Sequence, residues 1–192
     1  MQIDKLKLKN FRCYDELEID FEPKLTVIVG ENGKGKTAIF DALAIALEPY
    51  LRCFAVAGKH ISPKDVRRIP VYKDDGKHIE AMRSQYPVEV ALEGQVHGEH
   101  VTCTKIVRDS NVAEELATAL LDRGSKLCAT LAQDKNTLLP AFAYYGTARM
   151  WMDSSLMEGN QQELEERAIG YKECLEPSSS YNTFGRWFKH IS

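Results

Sequence analysis

The sequence lacks the features that would place it among secreted or membrane-spanning proteins. Its five cysteines are an odd number and include no C-x-x-C pair, which favours free thiols in a reducing cytoplasm over a disulfide framework. They are Cys13, Cys53, Cys103, Cys128 and Cys174. No uninterrupted apolar run approaches the ~18 residues that a membrane helix needs. We therefore expect a cytoplasmic location and no membrane partner.

The sequence also lacks an excess of positively charged residues. The chain has 25 Lys and Arg residues against 28 Asp and Glu residues, for a net charge of −3. This balance excludes a protein that coats nucleic acid through its overall charge, so any DNA contact must come from local patches. At 192 residues the chain suits one domain, or one large lobe of a larger assembly.

What the sequence does contain is a complete phosphate-binding pattern, G-x-x-x-x-G-K-[ST], at residues 30–37. Glycines let the backbone fold around an anion and turn several N–H groups toward it, and the next helix adds the positive end of its dipole. Lys36 is expected to reach the β- and γ-phosphates of a nucleotide, and Thr37 to place a hydroxyl on its Mg²⁺.

The residues on either side support this interpretation. Residues 25–29 are apolar and rich in β-branched side chains, as in a strand, while residues 38–47 are good helix formers without Gly or Pro. The alternative, a Gly-rich surface turn with a solvated lysine, does not explain this order of strand, loop and helix.

Alternating residues predict two strands before the loop. Leu6 and Leu8 alternate with lysines, and a second apolar set alternates with acidic residues after Asp15. We expect the charged faces of the two strands to pair, namely Lys5, Lys7 and Lys9 with Glu16, Glu18 and Asp20.

Three further elements are predicted after the loop. Residues 87–92 and 100–107 have the period of two of a β-hairpin, with a turn between Gly94 and Gly98. Helical spacing begins at Val112, after an Asn111 cap, and continues toward Leu127. Residues 139–145 are apolar, aromatic and few, which is typical of a buried central strand, and residues 146–149 leave it as a loop.

The first fifty residues resemble the N-terminal lobe of SMC/RecF-type ABC ATPases. The resemblance lies in Lys9-Asn10-Phe11-Arg12, in the segment from Leu25 to Thr37 and in Asp41-Ala42-Leu43. Later motifs, from Ala143 to Arg149 and from Arg167 to Leu175, with aromatic residues from Tyr181 to Phe188, are similar to the ATPase of the Septu anti-phage system, whose relatives accompany some retrons.

This resemblance implies an α/β P-loop NTPase fold, an ABC-type head lobe with a mixed core sheet and an antiparallel β-subdomain. It also implies ATP and Mg²⁺ as cofactors, with ATP held between two heads. Arg12 would lie beside the phosphates and Asn32 near the γ-phosphate, while Arg149 would stand where the family keeps a glutamine. The expected nucleotide-binding residues are Arg12, Asn32, Gly33, Lys34, Gly35, Lys36, Thr37 and Ala38, with Thr37 also the metal ligand.

Two motifs that the family needs for hydrolysis are not found: a strand ending in Asp-Glu and a Ser-Gly signature. The family places both after a helical insertion. We therefore expect residues 1–150 to form the N-terminal lobe and residues 151–192 to begin the insertion, with the C-terminal lobe outside this chain. It follows that the chain contains no catalytic residue and is inactive in isolation.

The resulting hypothesis is the ATP-binding half of an SMC/RecF-like ATPase that controls a nuclease effector in anti-phage defence through head closure. Its expected partners are a second head, an HNH-type nuclease subunit, and DNA or retron nucleic acid. One alternative is a RecF- or SMC-like DNA repair ATPase that clamps DNA itself. An alternative of another class is a non-catalytic scaffold that nucleotide only stabilises.

Overall fold

A computed structural model describes residues 1–54, 58–73, 78–109, 113–134, 136–146, 171 and 174–175. Apart from residues 171, 174 and 175, the segment 151–192 predicted to begin a helical insertion lies outside this part of the chain. The same holds for Arg149.

The described chain consists of two sheets and two long helices. The strands are β1 (Gln2–Phe11), β2 (Tyr14–Asp20), β3 (Arg68–Tyr72), β4 (Ile79–Ser84), β5 (Val88–Val96), β6 (Glu99–Val107) and β7 (Ala113–Leu116). The helices are α1 (Lys36–Leu51), which continues into a 3-10 turn at Arg52–Phe54, and α2 (Thr118–Gln133). The main sheet has the order β2-β1-β5-β6-β7 and its pairs are antiparallel, while β3 and β4 form a separate hairpin.

The alternation of β1 and β2 pairs them as the sequence predicts. Leu6 lies opposite Ile19 and Leu8 opposite Leu17, which places the apolar side chains on one face. On the other face Lys5 pairs with Glu18 and Asp20, and Lys9 with Glu16. Lys7 instead forms its ion pair with Glu93 of β5, 3.2 Å away. The predicted charge pairing is therefore confirmed for Lys5 and Lys9.

The predicted hairpin is confirmed as β5 and β6. His97 and Gly98 connect the strands, both with positive φ, as a tight two-residue turn requires. The prediction of a helix from Val112 is wrong at its start, because residues 113–116 form β7 against β6 and α2 begins only at Thr118. Pairing with an existing strand edge overrides the local helical spacing there.

Helix α1 packs its apolar face against β1 and β5 and its C-terminal half against α2. The helix continues through Pro49, whose ring nitrogen has no proton to donate to Ile45. Gly124 of α2 lies directly on the backbone of Tyr50, where a side chain would collide with the carbonyl group. This close approach holds the end of the phosphate-loop helix on α2.

Two predicted strands are extended segments without strand pairing in the described chain. Residues 25–29 leave alternate side chains in solvent, with Val29 89% exposed, and a local hydrogen bond joins the Thr26 hydroxyl to the N–H of Glu22. Residues 139–145 contain the 63%-exposed Tyr145 and are not a buried central strand. The predictions of strands at residues 25–29 and 139–145 are therefore wrong for the described chain. A strand forms only where a neighbouring backbone hydrogen-bonds to it.

The prediction of five free thiols is wrong for one pair. Cys53 and Cys128 form a disulfide between the end of α1 and α2, across 75 residues of sequence. Cys13, Cys103 and Cys174 are free, as predicted. The pairing follows from the packing of α1 on α2, which the spacing of cysteines along the chain does not reveal. Within the described residues no helix is both long enough and apolar enough to cross a membrane.

Candidate nucleotide-binding site

The phosphate-binding pattern forms a loop that ends at the first residue of α1. Gly33 and Gly35 have φ values of 83° and 88°, in the region that side-chain-bearing residues rarely adopt, and Gly35 is the residue that precedes the helix. A Cβ atom on Gly35 would collide with the Sγ atom of Cys13 and lie 2.9 Å from the Tyr14 hydroxyl oxygen. Glycine is therefore required at this position by backbone conformation and by packing.

Several backbone N–H groups of the loop have no hydrogen-bond acceptor among the described residues. The N–H of Ala38 bonds to the Gly35 carbonyl oxygen at 2.9 Å, and that of Lys34 to the Glu31 oxygen at 3.4 Å. Among the residues that the structure describes, none offers an acceptor to the N–H groups of Gly33, Gly35, Lys36 and Thr37. Successive unpaired amides at a helix N-terminus form a nest for a phosphate group. The donor set therefore fits the phosphates of a nucleotide.

Lys36 lies inside this loop. Its Nζ atom donates to the carbonyl oxygens of Gly30, at 2.6 Å, and Glu31, at 2.7 Å. These bonds hold the ammonium group against the backbone at the start of the loop. A phosphate oxygen is a stronger acceptor for an ammonium group than a neutral carbonyl oxygen, so Lys36 can exchange these partners for phosphate.

Thr37 and Asn32 are exposed, while Ala38, in the first turn of α1, is buried. The Thr37 hydroxyl, one residue into the helix, would hold the Mg²⁺ that accompanies a nucleotide. A threonine hydroxyl is a hard oxygen ligand of the kind that Mg²⁺ accepts alongside phosphate oxygens and water. The described residues contain no cluster of three or more His, Cys, Asp or Glu side chains that could bind a metal without the nucleotide.

The turn between β1 and β2 supports the loop from behind. Cys13 of this turn lies against Gly35, and the hydroxyl of Tyr14, the first residue of β2, donates to the Lys34 carbonyl oxygen at 3.2 Å. These two supports were not predicted from the sequence. Their only sequence signal is their position directly after Lys9-Asn10-Phe11-Arg12, the motif used for the family resemblance.

Arg12 lies in the same turn, with a φ of 52°, and contacts two carboxylates. Its Nη1 atom donates to Asp41 Oδ2 of α1 at 2.6 Å, and its Nε atom donates to Asp65 Oδ1 at 2.8 Å. Burial alone would lower the pKa of Arg12, but its hydrogen bonds to Asp65 and Asp41 outweigh burial and raise it. Arg12 thus lies beside α1, and its guanidinium group forms ion pairs with Asp41 and Asp65.

Asp65 is the more buried of these partners, with a side chain 2% exposed. It accepts hydrogen bonds from the backbone and hydroxyl of Ser62, at 2.9 and 2.6 Å. Burial would raise the pKa of Asp65, but the bonds from Ser62 and Arg12 lower it overall. Neither aspartate was given a role from the sequence, although Asp41 belongs to the Asp41-Ala42-Leu43 motif.

Comparison with known proteins places this loop in a family. The model of the AAA domain family AAA_23 matches residues 5–180. A DNA replication and repair protein RecF from Oceanobacillus iheyensis is 33% identical over 95 residues, which are 48% of this chain and 24% of the relative. A RecF protein from Halalkalibacterium halodurans is 54% identical over 43 residues, which are 22% of this chain and 12% of the relative. The matched part of the chain thus spans a quarter or less of these relatives.

A solved structure also matches. Its description reads "Structural biochemistry of ATP-driven dimerization and DNA stimulated activation of SMC ATPases". It aligns with a TM-score of 0.43 and 20% sequence identity over 73% of this chain and 87% of that chain. No functional inference follows from a likeness at this level. The family match, the RecF relatives and the phosphate loop together confirm the predicted α/β P-loop NTPase fold. The chain belongs to the AAA_23 family of AAA domains, and its matched segments are similar to RecF proteins.

Proposed function

We propose that this chain is the Mg·ATP-binding half of an SMC/RecF-like ATPase head that controls an associated nuclease effector in anti-phage defence. The observation that supports nucleotide binding is the loop itself, which brings together amides with no acceptor in the described part of the chain, the Lys36 ammonium group and the exposed Thr37 hydroxyl within eight residues. The nucleotide-binding residues are those predicted from the sequence, Arg12, Asn32, Gly33, Lys34, Gly35, Lys36, Thr37 and Ala38, with Thr37 as the metal ligand.

In this proposal the output of ATP binding is conformational. Two heads sandwich ATP, and the closed and open arrangements differ in their affinity for nucleotide, which is the requirement for a switch. The support for anti-phage control is the resemblance of residues 143–149 and 167–175 to the Septu ATPase. The partners would be a second head, an HNH-type nuclease subunit, and DNA or retron nucleic acid.

A nucleotide titration tests the binding step. Lys36→Ala should weaken binding of a fluorescent ATP analogue in the presence of Mg²⁺ by about a hundredfold, since it removes a charge-assisted contact to two phosphates. Lys24→Ala is the matched control, because Lys24 is an exposed lysine outside the phosphate loop. Equal binding by wild type and Lys36→Ala would contradict the proposal.

Phage challenge tests the biological role. Cells that express the protein with the products of its neighbouring genes should resist phage, and Lys36→Ala should abolish resistance. The isolated 192-residue chain should show no steady ATP hydrolysis. Hydrolysis that is lost in Lys36→Ala would show that this chain needs no further lobe for turnover.

The DNA repair alternative is favoured by the RecF relatives, which are described as DNA replication and repair proteins. It predicts salt-dependent DNA binding by the protein without a nuclease partner. The scaffold alternative predicts that Lys36→Ala leaves both assembly and activity intact. These two results would replace the defence proposal with a different function for the same fold.

A further inference from the structure

One carboxylate on α1 joins three separate parts of the chain at the phosphate loop. Asp41 Oδ2 accepts the hydrogen bond from Arg12 Nη1 at 2.6 Å, and Asp41 Oδ1 accepts one from the Tyr144 hydroxyl at 3.0 Å. Arg12 belongs to the turn behind the loop, and Tyr144 to the extended segment 138–146. The Asp41 side chain is 18% exposed, so these bonds are partly shielded from water.

Segment 138–146 has no strand pairing in the described chain, and Leu138 is 89% exposed. Side-chain contacts attach it to the core: the Tyr171 hydroxyl donates to the Pro140 carbonyl oxygen, and the Phe142 ring lies 6.0 Å from that of Tyr50. Tyr144 lies near Phe40, with ring centroids 6.3 Å apart, and its N–H donates to the Cys174 carbonyl oxygen at 3.0 Å. The Tyr144 hydroxyl is therefore a polar connection from this segment to the helix that begins at the phosphate loop.

We infer that Asp41 is a positioning residue that transmits nucleotide binding from the phosphate loop to segment 138–146 through Arg12 and Tyr144. This inference rests on the proposed binding of Mg·ATP. A polyphosphate in the loop attracts the Arg12 guanidinium, which otherwise neutralises Asp41. When Arg12 turns toward phosphate, its positive charge no longer offsets the Asp41 carboxylate. The carboxylate then becomes a stronger acceptor for the Tyr144 hydroxyl. ATP should therefore tighten the segment on α1.

Hydrogen exchange with and without Mg·ATP measures both ends of this connection in one experiment. In the wild type, ATP should slow exchange at residues 30–38, whose amides bind phosphate, and also at residues 138–146. The slowing of exchange at residues 138–146 should be at least about fivefold, which is the lower end of typical coupling between two sites.

Two variants separate the connection from nucleotide binding. Tyr144→Phe removes one hydroxyl. Asp41→Asn replaces one of the two carboxylate oxygens, which bind Arg12 and Tyr144 separately, with an NH2 group that can only donate. Each should keep the slowing at residues 30–38 and lose it at 138–146. Tyr72→Phe, the same change at a 52%-exposed tyrosine of β3, should behave as the wild type.

The outcomes distinguish this inference from the proposed function. An ATP response at 138–146 that persists in Tyr144→Phe, or that is absent from the wild type while 30–38 responds, would overturn the inference alone. Absence of any ATP response at 30–38 in the wild type would overturn both. A purely structural Tyr144 would change exchange at 138–146 equally with and without ATP, which also counts against the inference.

Discussion

Lys105 of β6 donates a hydrogen bond to Glu48 of α1 at 2.8 Å, and both residues are almost completely buried. Arg52 of the same helical end also binds Glu48, and Glu115 of β7 pairs with both cations. Two carboxylates and two cations thus balance at the edge of the core, where Glu48 and Lys105 are buried and Arg52 and Glu115 are partly exposed. The network fixes the C-terminal end of the phosphate-loop helix against the sheet.

Removing one member of this network should destabilise the fold. Lys105→Met leaves two carboxylates against one cation in a buried site, and the free energy of unfolding should fall by about 3 kcal/mol. Urea denaturation followed by circular dichroism measures this change. Lys7→Met is the control, because the Lys7 side chain is 46% exposed and its ion pair should contribute about 1 kcal/mol or less. Equal losses of unfolding free energy in the two variants would show that the buried ion pairs stabilise the fold no more than an exposed one.

Gly35→Ala should impair the phosphate loop more than Gly30→Ala. Gly35 has a φ of 88°, and a Cβ atom there would press on Cys13 and Tyr14, whereas at Gly30 it would approach only Lys36 Cδ, at 4.0 Å. The left-handed conformation costs alanine about 1–2 kcal/mol, so ATP affinity should fall about tenfold or more. Titration with a fluorescent ATP analogue checks this. Unchanged affinity in Gly35→Ala would mean that the loop adopts another conformation when it binds.

Asp65 should contribute stability that depends on pH. Its pKa is lowered in the folded protein, so its contribution is present above the unfolded pKa of about 3.9 and is lost as the pH falls through the lower folded pKa. Asp65→Asn should therefore be less stable at neutral pH and should lose less stability on acidification below about pH 4. Urea midpoints across this range give both values. Asp15→Asn, at a 72%-exposed side chain, should follow the wild-type profile.

Thiol counting tests the disulfide. Alkylation of the denatured protein without reductant should modify Cys13, Cys103 and Cys174, and reduction should make Cys53 and Cys128 reactive as well. In the native state burial raises the pKa of Cys103 and of Cys174 to about 11, so Cys13 should react first at neutral pH. Intact mass spectrometry resolves these stages. Modification of all five without reductant would show that Cys53 and Cys128 are thiols in solution.

The conformation of the loop was predictable because its residues are contiguous in the sequence. Gly33, Gly35, Lys36 and Thr37 lie within eight positions, and the loop conformation depends on glycine φ values and on the helix that follows. The pairing of β1 with β2 was predictable for a related reason, since alternation in two neighbouring strands fixes which faces can meet.

The partners of Arg12 were not predictable from the sequence. The sequence placed Arg12 beside the phosphates through a family motif, but its contacts are Asp41 and Asp65, which lie 29 and 53 positions away. Pairing at such distances depends on how β1, α1 and the turn at residues 62–65 pack together.

The amino-acid sequence by itself determined the phosphate loop, the amphipathic strands and the hairpin, because each depends on contacts between residues that are near in the chain. Tertiary structure alone decided that Cys53 meets Cys128, that residues 113–116 join β6, and that residues 25–29 and 139–145 lie extended without strand pairing in the described chain. The physical reason is that backbone hydrogen bonds, disulfides and ion pairs need a partner in space, and the partner's position is set by the packing of the whole lobe.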